Sequence, residues 1–390
     1  METYITYLVH LIKCAILDTQ PNPIPGGIEL NALIAFAQRH TVENIVYLSL
    51  KKLNLLSSPE MQLLEEYYGH AITVDATQQY YLEMIIDALE ENKIRHCVMK
   101  GPVIKKLYPT SDMRRSGDLD IFVDDENTEK VKGIMESLGF TAENFNKANS
   151  HDEYKIDQNI IVEIHRTLIS NQCPWQKPCQ RIADRLILED GCQYRYRMTD
   201  EDYYLYMIGH MAKHMKYSGI GIKMVLDVWI YLQKYERELN REQLNKHLKE
   251  CGLYKFENII RNVCDYWFND KDADDLTKAT ALYIGTSGNF GTYEQLMMSR
   301  MGENALGTTN ESIGRCVSYV KMFFWPYKNM RERYTILKKL PFLLPFFWIY
   351  RALNTLLFNK EKARHIREQY HNYDMDNSKQ LIDFKKKIGL

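Results

Sequence analysis

Two short segments place carboxylates where carboxylates are costly. Residues 118–123 read Asp-Leu-Asp-Ile-Phe-Val, and residues 160–165 read Ile-Ile-Val-Glu-Ile-His. Both are apolar, β-branched runs of the kind that form buried strands, where an unpaired charge is expensive. Alternation along a strand puts Asp118 and Asp120 on one face, with Leu119, Ile121 and Val123 on the other. Glu163 and His165 share a face of the second strand by the same rule. If the two strands are neighbours, three carboxylates converge, and their repulsion calls for a positive partner. A divalent metal ion meets that need.

Asp-x-Asp on one strand with a third acid on the next offers hard oxygen ligands suited to two Mg²⁺ ions, with Mn²⁺ as an alternative. Two such ions serve in-line phosphoryl transfer by stabilising the attacking and leaving oxygens. On this reading Asp118 and Asp120 bridge the metals, while Glu163 completes the second site and helps to deprotonate an attacking hydroxyl. A lone Asp-x-Asp is a weak signal. Its context strengthens it: a Lys100-Gly101 turn upstream, the lead-in Arg114-Arg115-Ser116-Gly117, apolar flanks, and the later hydrophobic-Glu-hydrophobic strand.

With these residues in view, segment 99–165 resembles the nucleotidyltransferase superfamily of DNA polymerase beta type. It is more closely similar to a bacterial family of uncharacterised nucleotidyltransferases, whose signature is Lys-Gly followed by Arg-x-x-Gly-Asp-hydrophobic-Asp and a later Glu-Ile-His. Lys100, Gly101, Tyr108-Pro109, Arg114, Gly117, Asp118, Asp120, Glu163 and His165 carry the resemblance. Arg39-His40-Thr41-Val42 and the His210/His214 pair agree with it less specifically. The resemblance implies Mg²⁺-dependent transfer of a nucleoside monophosphate from a nucleoside triphosphate such as ATP to an unidentified small-molecule or protein acceptor. Lys100, Gly101, Arg114, Ser116 and Gly117 would hold the nucleotide; for Ser116 a simple loop cap is the alternative, and Arg115 is left open between phosphate contact and solvated loop.

One departure concerns the nucleotide end. The wider superfamily carries Gly-Ser at the start of its first core helix, where this chain has Lys100-Gly101-Pro102. Pro102 removes an amide donor but suits a first helical turn. Gly101 permits close backbone approach, and Lys100 can supply a phosphate contact as a point charge.

His165 is expected to orient substrate or a carboxylate, or to end its strand partly buried. His210 and His214, spaced i, i+4, lie on one helical face. The intervening Met-Ala-Lys lacks the glutamate of a zinc-protease helix, so the pair is expected to face substrate or to make a polar helix–helix contact. The paired tyrosines at 67–68, 80–81 and 203–204 are expected to pack rather than stack on bases.

The elements around these residues imply an α+β protein, a small mixed-sheet nucleotidyltransferase core flanked by N-terminal helices and a larger C-terminal helical domain. The expected divisions are 1–93 helical, 94–170 α/β core, 171–320 helical, and 321–390 a basic, apolar helical tail. Strands are expected at 94–100, 118–123, 151–156 and 159–165, with a helix over 124–138 closed by Gly139. After about residue 170 the helical period runs to roughly 300. One helix starts at Asp200 and ends at the Ser218–Gly221 turn, and another carries Asp227 to Tyr235.

Composition is that of an ordinary globular chain: 390 residues, 45% apolar, 26% charged, formal net charge −1. That balance gives no field for nucleic acid, and none is expected as substrate. Eight cysteines without a Cys-x-x-Cys pair read as reduced thiols of a cytoplasmic protein. The first residues lack a signal-peptide pattern and read as an amphipathic helix. Residues 341–358 are apolar but for Arg351 and have basic flanks. Two prolines and the arginine argue against a spanning helix; the alternatives are a peripheral contact at the inner membrane face or a helix packed on the catalytic part. Three further readings stay open: nucleotidylation of a protein by an antitoxin-like enzyme, a non-catalytic nucleotide-binding module, and a membrane-associated polysaccharide-biosynthesis factor.

Overall fold

The computed structural model describes residues 1–53, 58–143, 145, 151–157, 160–169, 173–289, 291–292, 295–299, 313, 317, 320–321, 323–358, 364 and 375–390. Four helices open the chain: α1 (Glu2–Ile16), α2 (Leu30–Arg39), α3 (Glu43–Leu50) and α4 (Pro59–Glu91). Thr41, with φ +53°, breaks the helical period that runs through 30–55 and separates α2 from α3. The 33-residue α4 starts at Ser58, whose hydroxyl accepts the Met61 N–H at 3.2 Å, with Pro59 in its first turn.

The seven-stranded sheet comprises β1 (His96–Met99), β2 (Leu119–Val123), β3 (Thr141–Ala142), β4 (His151–Ile156), β5 (Ile160–His165), β6 (Ile187–Leu188) and β7 (Arg195–Arg197). Their order is β3-β4-β5-β2-β1-β7-β6. β2 lies parallel to β5 and antiparallel to β1, and β1 lies parallel to β7, so the sheet is mixed. Leu119, Ile121, Val123, Val162 and Ile164 face a core completed by Ile85 and Leu89 of α4 and by Val131 and Met135 of α6 (Thr128–Ser137). α6 closes as expected. Gly139 (φ +89°) donates to the Glu136 carbonyl and Phe140 to that of Met135, the paired bonds of a Schellman cap.

The opposite face of the sheet meets helices α8 (Asp200–Tyr217) and α9 (Ile222–Tyr235), with α10 (Arg241–Glu250), α11 (Tyr254–Phe268) and α12 (Asp275–Ser287) behind them. Cys97, Met99 and Phe122 join this second, larger core. Helix α8 begins at Thr199, whose hydroxyl accepts the Asp202 N–H, so its capped, acidic start matches the sequence reading.

The sequence reading placed only helices beyond residue 170, but β6 and β7 lie there. Arg-Tyr-Arg has no apolar alternation to announce a strand. β7 forms because β1 offers it a parallel edge, and because the Glu90 carboxylate accepts the N–H groups of Tyr194 (2.9 Å) and Arg195 (2.6 Å). All seven described cysteines are free thiols; Cys316 lies outside the described residues. No helix among the described residues is long and apolar enough to cross a membrane.

Candidate active site

The three carboxylates meet. Asp120 and Glu163 are direct register partners across β2 and β5, and carboxylate oxygens of Asp118, Asp120 and Glu163 lie within 4.8 Å of one another. Asp120 is fully buried. Its Oδ1 accepts from Lys100 Nζ at 2.5 Å and from His165 Nε2 at 2.7 Å. The same Nε2–H is shared with Glu163 Oε2 at 3.0 Å, so His165 clamps the two acids together and orients both. His151, paired with His165 across the β4–β5 hairpin, sits 3.4 Å from Glu163 Oε1.

Charge is unevenly balanced here. Burial raises the Asp118 carboxyl to about 6, and the negative charge of Asp120 adds to it. Burial would raise Asp120 as well, but the Lys100 charge and the His165 hydrogen bond outweigh it and hold that carboxyl below its ordinary range. Glu163 is likewise held low against its burial, by the His165 hydrogen bond and then by Lys100. Among the described residues Asp120 Oδ2, which is buried, has no hydrogen-bond partner. An orphaned carboxylate oxygen beside an undercompensated Asp118 is a hard donor set that fits Mg²⁺.

The turn after β1 aims Lys100. Its backbone (φ +48°, ψ −123°) lies where a non-glycine residue is strained by about 1–3 kcal/mol, and the Tyr203 hydroxyl holds its carbonyl at 3.0 Å. Gly101 follows at the start of the short helix α5 (Gly101–Ile104). A Cβ on Gly101 would lie 2.0 Å from Ser116 Oγ and 3.2 Å from Arg114 Nη1, so only glycine lets the lead-in loop close onto this turn.

Arg114 is already engaged. Its Nε and Nη2 donate to Asp227 of α9 at 3.2 and 2.8 Å, and its Nη1 donates to Ser116 Oγ at 2.9 Å. The Tyr108 hydroxyl donates to the same Asp227 at 2.7 Å. Arg115 pairs with the buried Glu43 of α3. Asn44 donates to the carbonyls of Asp112 (2.7 Å) and Met113 (3.1 Å), and Gln78 of α4 to that of Ser116 (3.1 Å). Lys105 and Ser111 both bind Asp75 of α4. The N-terminal helices are therefore the scaffold of the 110–117 loop.

A cavity of about 320 Å³ opens between this constellation and the helical wall. The residues Lys100, Gly101, Arg114, Gly117, Asp118, Asp120, Glu163 and His165 line one side. From α8 come Tyr203, Tyr206, Met207, His210, Met211, Lys213 and His214, and from α9 Lys223, Met224 and Asp227. His210 and His214 meet edge to face with ring centres 4.6 Å apart. Burial, then the neighbouring His214, pushes His210 far down; burial, then Lys213, lowers His214 to about 3. Lys223 falls to about 7 through burial and the Arg114 charge, and its ammonium donates to the Arg115 carbonyl. The Tyr206 hydroxyl, in a residue only 1% exposed, has no hydrogen-bond partner among the described residues.

Residues 26–269 match the family described as uncharacterised nucleotidyltransferase. The chain belongs to this nucleotidyltransferase family. The matched stretch spans α2 to α11 and includes each cavity residue named above. No curated protein and no solved structure matches the chain.

Sequence reasoning singled out the acids, Lys100, the lead-in loop and three of the histidines. It missed His151, Lys213, Lys223, Tyr203 and Tyr206 as cavity residues, and named Asp227 only as part of a helix. His151 was not within its reach: a two-residue turn at Asp157-Gln158 pairs residue 151 with residue 164, one step off the His151–His165 register that the strands adopt. The others are set by helix packing across the cleft and have no local motif.

Proposed function

We propose that this protein is a Mg²⁺-dependent nucleotidyltransferase that moves a nucleoside monophosphate from a nucleoside triphosphate to an acceptor hydroxyl or phosphate. The observation that carries the reading is the Asp118–Asp120–Glu163 cluster, built around the buried Asp120 with its orphaned oxygen and facing a cavity, in a chain of this family. The three acids would hold two Mg²⁺ ions or, alternatively, Mn²⁺. Bound there, the ions would offset phosphate charge and stabilise the attacking and leaving oxygens.

The chain's own residues do the rest. His165 fixes the rotamers of Asp120 and Glu163. Lys100 and the Gly101 backbone receive the triphosphate beside them, with Ser116 and Gly117 on the neighbouring loop. Arg114 contributes its charge while its Asp227 pairing holds that loop at the helical wall. The acceptor oxygen bonds to the α-phosphorus as the bond to the β-phosphate's bridging oxygen breaks. Pyrophosphate departs, and a hydroxyl acceptor passes its proton to Glu163. His210 and His214 orient the acceptor from the far wall. The same reading places the enzyme in the cytoplasm, where nucleoside triphosphates and Mg²⁺ are both abundant.

The test is a pyrophosphate-release screen with the four nucleoside triphosphates, Mg²⁺ and a set of sugar-phosphate acceptors. One nucleotide should release pyrophosphate above the background of an Asp118→Asn, Asp120→Asn double variant. Equal release by the double variant would end the proposal.

A further inference from the structure

Helix Leu344–Phe358 carries an apolar stripe that no catalytic role uses. Phe342, just before the helix, and Phe346, Ile349, Tyr350, Leu353 and Leu357 recur at helical spacing on one face, and all are 50–69% exposed. The inner face is anchored. Trp348 Nε1 donates to the Trp325 carbonyl at 2.9 Å, and Phe347 packs on Tyr334 with ring centres 4.7 Å apart. Arg351, the one charge in the apolar run, turns inward over the Trp325 ring at 4.5 Å and donates to the Phe323 carbonyl. The arginine is thereby kept off the outer stripe.

The charge around this stripe is one-sided. Residues 321–358 contain seven lysines and arginines and one acidic residue, in a chain whose formal charge is −1. Lys328, Arg331, Arg333, Lys338 and Lys339 are exposed. Lys338 and Lys339 sit between the exposed Ile336 and Leu340, so cationic and apolar groups share one surface. A contiguous apolar face on a protein surface marks an interaction site. Aromatic and aliphatic side chains rimmed by Lys and Arg, on a helix too short to span, match the interface of an anionic bilayer.

We propose that this face is a membrane-docking surface that seats the helix in the headgroup region of anionic lipid, Phe342, Phe346, Ile349 and Leu353 downward. The binding is peripheral and reversible, and independent of the nucleotidyl-transfer reading.

Flotation of the full-length protein with vesicles of phosphatidylglycerol and phosphatidylcholine, against phosphatidylcholine alone, tests it. The wild type should float with the anionic vesicles and be released as salt rises. Phe346→Glu with Leu353→Glu should abolish flotation while the thermal melt stays unchanged. Lys338→Ala with Lys339→Ala should lower the partition coefficient roughly thirty-fold, about 1 kcal/mol per cation. Failure of the wild type to bind anionic vesicles overturns the proposal, as does binding by the glutamate variant at wild-type strength. Concentration-dependent dimerisation that the glutamate variant abolishes, without vesicle binding, overturns it in favour of a self-association face.

Discussion

Removal of Asp227 should uncouple the 110–117 loop from the helical wall. Its carboxylate takes two guanidinium bonds from Arg114 and one from Tyr108, and the two side chains of the ion pair are only 13% and 9% exposed. Asp227→Ala leaves a guanidinium without its counter-charge in a largely dry site, a change that costs about 3–5 kcal/mol. Unfolding entropy of about 2.1 cal/mol/K per residue over this chain length gives roughly 0.8 kcal/mol/K, so the melting temperature should fall by about 5 °C. Replacing the pair by Arg114→Met with Asp227→Leu should restore much of that loss, because an apolar pair leaves no buried charge. Thermal melts of the wild type, Asp227→Ala, the two singles Arg114→Met and Asp227→Leu, and their double variant form the assay. An Asp227→Ala melt within about 1 °C of wild type, or strict additivity in the cycle, would refute the reasoning.

Three further outcomes follow from the same geometry. Gly101→Ala forces Ser116 and Arg114 apart, so it should cost about 1–3 kcal/mol of stability and depress nucleotide turnover, read by melt and pyrophosphate release. His40 is buried and neutral, its Nδ1 accepting the Ile222 N–H and its Nε2 donating to the Gly285 carbonyl; burial lowers it to about 4. The unfolded chain therefore binds a proton first as pH falls below about 6.5, and the stability present above that pH is lost on the way to about 4. Between pH 7 and 5 this removes about 2 kcal/mol, a slope that urea titrations should find missing in His40→Asn. Lys223, lowered to about 7 by burial and Arg114, should titrate near neutrality in NMR of ¹³C-methylated protein, well below the surface lysines.

The convergence of the three acids was legible because it is written in strands. Period-two alternation puts Asp120 and Glu163 on one face, and the parallel β2–β5 register then brings them together. The Gly139 cap and the α8 start were legible for a similar reason, since capping is local chemistry. The bracing of the 110–117 loop was not. Asp75, Glu43 and Asn44 lie tens of residues from their partners, in helices whose pattern announces only amphipathicity. Nor was the exchange by which Arg114, read as a phosphate clamp, spends its bidentate edge on Asp227. The C-terminal helix shows the same limit: composition revealed apolar residues and charges, while only the fold shows Arg351 turned inward and the aromatic stripe left outside.

The central claim is tested most directly by following ³²P from α-labelled nucleoside triphosphate with purified wild type and Asp120→Asn across a Mg²⁺ titration. The account predicts Mg²⁺-dependent label transfer and pyrophosphate release by the wild type, and loss of both by at least about a hundredfold in Asp120→Asn, with the fold intact by circular dichroism. Wild-type rates of transfer from Asp120→Asn, or transfer indifferent to chelation of divalent ions, would contradict it.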